Sequence, residues 1–156
     1  MRFAFPIGLA LAACGMAQAV LPADAVILPG PAADQLLHQC SRGVPTGYAG
    51  HWQPTAEDIA ALEAALPVAL AAAQPGDASL RGAPHGWRRQ YGGFLRGGRR
   101  FVYGNFFPRD VGEGRSPYND WHRAPVMVCD GGHAFFGAEY DVAARRFTRL
   151  DFNGFA

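Results

Sequence analysis

The 156-residue chain contains no lysine: all fourteen of its basic residues are arginine. We read this as the compositional bias of a GC-rich genome and not as a binding function. Without Arg2 the remaining thirteen arginines balance thirteen acids, so a global polyanion-binding role, nucleic acid included, has no support in net charge. Long apolar runs are also missing. The longest, Phe3 to Ala13, falls short of the roughly 20 residues that a membrane span needs. Serine is scarce, with only Ser41, Ser79 and Ser116, and none lies in a Gly-x-Ser-x-Gly elbow. No Gly-rich stretch leads into the Lys-Ser/Thr of a phosphate loop. There is no internal repeat, and no two of the five histidines stand three to five apart. That spacing excludes the common helical metal pair, so no metal and no cofactor is expected.

The first residues do have the pattern of an export leader. Arg2 supplies the charge, the apolar run follows, and Ala17-Gln18-Ala19 fits a small-x-small cleavage site that would leave Val20 first. Leu11-Ala12-Ala13-Cys14 offers a second outcome, a lipobox in which Cys14 is lipidated and anchors an envelope lipoprotein. Both outcomes place the domain outside the cytoplasm, in the periplasm or secreted. There the two other cysteines, Cys40 and Cys129, are expected to form a disulfide.

Residues 1–19 are thus read as a signal peptide, 20–31 as a Pro- and Ala-rich extended tether, and 32–156 as one domain. A short helix is expected at Ala32 to Cys40 and a longer one after Thr55. Thr55 and Asp58 fit a capping box, and Ile59, Leu62, Leu66 and Leu70 form an apolar stripe. Pro67 is expected to kink or end that helix near Leu66. A connector from Gln74 to Gly86 follows. Trp87 to Leu95 and Arg99 to Phe107 then flank a Gly97-Gly98 turn, the signature of an antiparallel hairpin. A second hairpin, Ala124 to Cys129 with Ala134 to Tyr140, and a last strand, Arg146 to Asn153, complete the pattern. The expected fold class is α+β: one main helix on a four- or five-stranded antiparallel meander, with one disulfide.

This order resembles the cystatin-type arrangement of a helix wrapped by an antiparallel meander. Val128-Cys129-Asp130-Gly131-Gly132, Glu139-Tyr140-Asp141 and Leu150-Asp151-Phe152-Asn153-Gly154 resemble segments of small exported proteobacterial proteins. The resemblance covers about the C-terminal half and implies fold and compartment, with no activity carried over.

Few residues carry candidate chemistry. Asp130 and His133 flank a Gly-Gly turn, where turn bonding is the plain reading. Glu139 lies in an apolar strand and reads as a solvent-facing partner of Arg149, or as a general acid of an envelope hydrolase with Asp130 and His133. Ser116, Asp120 and His122 would make a triad only on a flexible loop, without rigid support. That loop, Pro108 to Arg123, is long for a compact domain and holds Tyr118, Trp121 and His122. The arginines of the hairpin, Arg88, Arg89, Arg99 and Arg100, form a basic stretch after an acidic one. Trp, Tyr and Arg are the residue types that dominate interface energetics. The expected function is therefore a non-catalytic binding or inhibitory module of the cell envelope. Tyr118, Trp121 and His122 would be its contacts and the four arginines its charged rim, meeting a protein or anionic envelope partner. A structural or assembly lipoprotein is the alternative.

Overall fold

The computed structural model describes residues 19–73 and 86–155. The leader with Cys14, and the connector up to His85, lie outside the described residues. Elements follow in the order β1 (Ala25–Ile27), α1 (Gly30–Leu36), β2 (His51–Trp52), α2 (Ala56–Ala73), β3 (Trp87–Arg96), β4 (Arg99–Pro108), β5 (Phe136–Asp141) and β6 (Arg146–Phe152). Among the described residues no helix is long and apolar enough to cross a membrane.

Helix α2 begins at the expected box. The Thr55 amide donates to Asp58 Oδ2 at 2.8 Å and the Asp58 amide to Thr55 Oγ1 at 3.2 Å, so two otherwise unpaired helix-end donors are satisfied. The helix does not stop near Leu66. It continues through Pro67 to Ala73, because Leu66 and Leu70 straddle the proline and are both fully buried. Their burial, about 1.5–3 kcal/mol each, offsets the roughly 3 kcal/mol that an interior proline costs. Pro67 itself is on the exposed side.

Strands β3 to β6 run antiparallel in sequence order, and β3 turns into β4 through Gly97 and Gly98, whose φ values of +57° and +72° only glycine adopts freely. The sheet is nevertheless mixed. β1 pairs parallel to β3, with Ala25 opposite Arg89 and Ile27 opposite Tyr91, so the expected purely antiparallel meander is corrected. Residues 20–31, read as a tether, in fact hold β1 and open α1. The expected second hairpin is also absent: 124–129 is not a strand, and β5 pairs with β4 on one side and β6 on the other.

Both sheet faces are covered. On one, the stripe of α2 packs on Tyr91, Val102, Phe106, Phe136, Ala138 and Tyr140. On the other, α1 brings Ala33 and Leu36, and its C-cap Leu37, against Phe94, Phe101 and Tyr103. Gly92 permits that approach, since a Cβ there would meet the Ala33 side chain at 3.0 Å and its backbone at 3.3 Å. The rest of this second face lies under the connection between β4 and β5, where Phe107, Trp121 and Val126 form a third apolar cluster.

Candidate functional site

The β4–β5 connection is long because it does the work of a layer. It has too little periodic apolar character to pair as a strand, so the sheet holds it through side-chain amides. Gln90, on β3 and fully buried, donates from Nε2 to the Trp121 carbonyl at 2.5 Å and the Ala124 carbonyl at 2.7 Å. Its Oε1 accepts from the Val126 amide at 2.8 Å and from Asn105 Nδ2 at 3.1 Å. Asn105, its neighbour on β4, also donates to the Val126 carbonyl at 2.9 Å. Asn153, after β6, donates from Nδ2 to the Val128 and Asp130 carbonyls at 2.6 and 2.9 Å. Arg42 ties these amides together, donating to Asn153 Oδ1, Asn105 Oδ1 and the Tyr103 hydroxyl. Buried polar groups need such partners, and here they satisfy the backbone of an irregular segment.

Three further anchors act on the same connection. The expected Cys40–Cys129 disulfide is present, with Cα atoms 5.1 Å apart, and it fits an exported protein. Ser116 Oγ bonds to the Val111 carbonyl and accepts from the Tyr118 amide, while the Tyr118 hydroxyl donates to the Met127 carbonyl at 2.6 Å. Trp121 is 4% exposed and packs edge-on to Phe107, with the Arg88 guanidinium 5.0 Å above its ring.

These positions change the roles read from sequence. Trp121 is a core anchor and not a surface contact, since its apolar ring gains more from the third cluster than from water. Tyr118 is half-buried, whereas His122, its ring tilted against Trp121 with centroids 3.8 Å apart, is exposed together with Asn119, Asp120 and Arg123. The Ser116 hydroxyl is taken up by loop backbone and Asp120 pairs with Arg123, so the triad reading is set aside.

The charged rim is largely neutralised. Arg89 is buried against Glu63 of α2 at 2.7 Å, Arg88 meets Glu113 at 3.2 Å, and Arg99 pairs with the buried Asp141. Arg100 lies 5.1 Å over the Trp52 ring. Of the four arginines, Arg89 alone is paired with the acidic helix α2, through Glu63.

Glu139 is not solvent-facing. It stands opposite Arg149 in the register but is 3% exposed, and its carboxylate takes two bonds from Arg96, at 2.9 and 2.5 Å, and one from Thr148 at 2.5 Å. The hydrogen bond that it donates to Glu139, against partial desolvation, pushes the Arg96 guanidinium further up. Asp130 is exposed and lends its carbonyl to Asn153, while the His133 ring lies between Phe152 and Phe155, at 5.0 and 5.4 Å.

A cluster not read from the sequence, although Asp34 and His38 stand at helical i,i+4 spacing, lies on the α1 side. Asp34 Oδ1 accepts from the Tyr48 hydroxyl at 3.2 Å and stands 3.3 Å from His51 Nε2, with His38 Nε2 3.3 Å from the same hydroxyl. Burial first, and then the Asp34 charge and hydrogen bond, push the Tyr48 phenol up. The cluster joins α1, the following loop and β2. Among the described residues no three His, Cys, Asp or Glu side chains are grouped to hold a metal ion. An open hollow of about 320 Å³ near the other helix is lined by Glu57, Asp58, Ala61, Tyr140, Val142 and Arg145.

These features define a disulfide-closed α+β domain whose second face is capped by an anchored irregular segment. Comparison with protein-family models, with curated proteins and with solved structures found no match to the chain.

Proposed function

We propose that the protein is an exported, non-catalytic binding module that meets a protein partner through the exposed turns of its β4–β5 connection. Asn119, Asp120, His122 and Arg123 are its contacts, with Tyr118 at their base. One observation carries this reading: Trp121 is buried between exposed neighbours, so the segment holds its shape before any partner arrives. A preorganised surface avoids the ordering cost that a mobile loop meets on binding. An inhibitory role belongs to the same reading, since a preorganised turn meets another protein's cleft without an ordering cost. Arg100, exposed at the turn of the β3–β4 hairpin, remains as a positive position away from these contacts. The cystatin-like reading of the fold is retained as part of the proposal, on the support of α2 preceding the antiparallel run β3 to β6.

The hydrolase alternative has less support, because the carboxylate of Glu139 is committed to Arg96 and Thr148. The lipoprotein alternative turns on Cys14 and is decided by the intact mass of the processed protein.

The test is affinity capture from envelope extract and from culture medium with the oxidised protein, beside a His122→Ala/Arg123→Ala variant of unchanged thermal midpoint. The proposal expects one stoichiometric protein partner on the wild type, reduced about tenfold or more on the variant, as loss of interface hot spots produces. Equal retention by both forms, or recovery of wall or lipid material only, would overturn it.

A further inference from the structure

Strand β6 ends the sheet, and no strand among the described residues lies beyond it. Such an edge presents a row of amides and carbonyls that another strand can complete. The direction of each amide follows from one bond. The Asn153 amide donates to the Phe135 carbonyl at 2.9 Å, on the inner side. By the alternation of an antiparallel ladder, Arg149 and Asp151 also turn their amides toward β5, and Leu150 and Phe152 turn theirs outward. The next outward amide, Gly154, is taken by the Ser41 carbonyl at 3.2 Å, which closes the edge just past Phe152.

We propose that this edge pairs with the β6 of a second copy of the chain, antiparallel about a two-fold axis at Leu150. In a symmetric pair the facing residues must have the same amide direction, so the axis falls on a residue. An axis on Arg149 sets arginine against arginine, and one on Asp151 sets aspartate against aspartate. An axis on Leu150 sets Arg149 opposite the partner's Asp151, and Asp151 opposite the partner's Arg149, with Leu150 facing itself. Opposite charges directly across strands stabilise the pair and like charges oppose it. The two side chains are 42% and 41% exposed and lean together on one side of the strand, 3.7 Å apart, while Arg149 also donates from Nη1 to the Val44 carbonyl at 2.7 Å, a bond it must share or exchange on pairing. Charged side chains on an edge usually discourage foreign strands. Here their order is self-complementary, so the same charges that turn away an unrelated strand admit a second copy.

Sedimentation velocity of the oxidised protein over a concentration series tests the pairing. The expected result is a monomer–dimer equilibrium, with Arg149→Asp and Asp151→Arg each weakening association about tenfold or more by placing like charges across the axis. The double variant Arg149→Asp/Asp151→Arg restores it, and circular dichroism with thermal melting establishes that each variant is folded. Exchange of the Leu150 and Phe152 amides slows as the concentration rises. A monomer at every concentration, a dimer indifferent to the single reversals, or a folded double variant that stays monomeric would overturn the proposal.

Discussion

Glu63 and Arg89 meet at 2.7 Å between α2 and β3, with the Tyr91 hydroxyl donating to the same carboxylate at 2.5 Å. All three are enclosed, so the group is stable only as a set. Glu63→Met leaves the Arg89 cation buried and unpaired, and is expected to cost about 3–5 kcal/mol in urea unfolding. The double variant Glu63→Met/Arg89→Met is expected to recover most of that loss, because the uncompensated charge is gone. Burial, reinforced by the charge of Glu63, pushes the Tyr91 phenol well up, and burial also raises Tyr103 against the opposing pull of Arg42. A raised folded pKa means that the native state holds the proton more tightly than the unfolded chain. The contribution to stability is therefore complete below the ordinary phenol value of about 10 and is lost as pH climbs above it toward the folded values. In a spectroscopic titration these two tyrosines are expected to ionise only together with unfolding. Their titration near pH 10 in a still-folded protein would contradict the assignment.

At the scale of elements, the features legible in the sequence are the local ones. The Thr55–Asp58 box, the stripe of α2 and the Gly97-Gly98 turn each lie within a few residues, and each forms as expected. Thr55→Ala is expected to cost about 1 kcal/mol through loss of the cap. Pro67→Ala is expected to raise stability by roughly 1–3 kcal/mol, since the helix already runs through this exposed position with one hydrogen bond missing. What the sequence hides depends on partners far along the chain. β1 is only three residues long and has no periodicity to signal it; it exists because β3 offers a parallel edge. The Asp34, His38, Tyr48 and His51 cluster carries one helical spacing, Asp34 to His38, but Tyr48 and His51 join it only when β2 docks on β3 beside α1. Trp121, Tyr118 and the arginines were visible as residue types, but their burial was not. Whether an aromatic in a loop faces water or core is decided by the Gln90 and Asn105 amides, 31 and 21 positions upstream of the carbonyls they hold, on the buried sheet face.

Over the whole molecule, the β4–β5 connection is the part that distinguishes this domain from a plain helix-on-sheet layer. It joins the disulfide to the sheet: Cys129 is bonded to Cys40 across a sequence separation of 89, a closure worth about 4–5 kcal/mol in the chain-entropy account. Cys40→Ser/Cys129→Ser is expected to lower stability by several kcal/mol and to loosen the segment first, since its other ties are hydrogen bonds to irregular backbone. The most direct measurement is native-state hydrogen exchange at Val126 and Trp121, whose amides donate to Gln90 Oε1 at 2.8 Å and to the Tyr118 carbonyl at 3.1 Å. If the connection is a fixed layer of the fold, both amides exchange only through global unfolding, and Gln90→Leu, which removes the Val126 acceptor, speeds Val126 without unfolding the sheet. Exchange at unfolded-chain rates in the wild type would mean that the segment is a loose arm, and the account of a preorganised binding surface would fall with it.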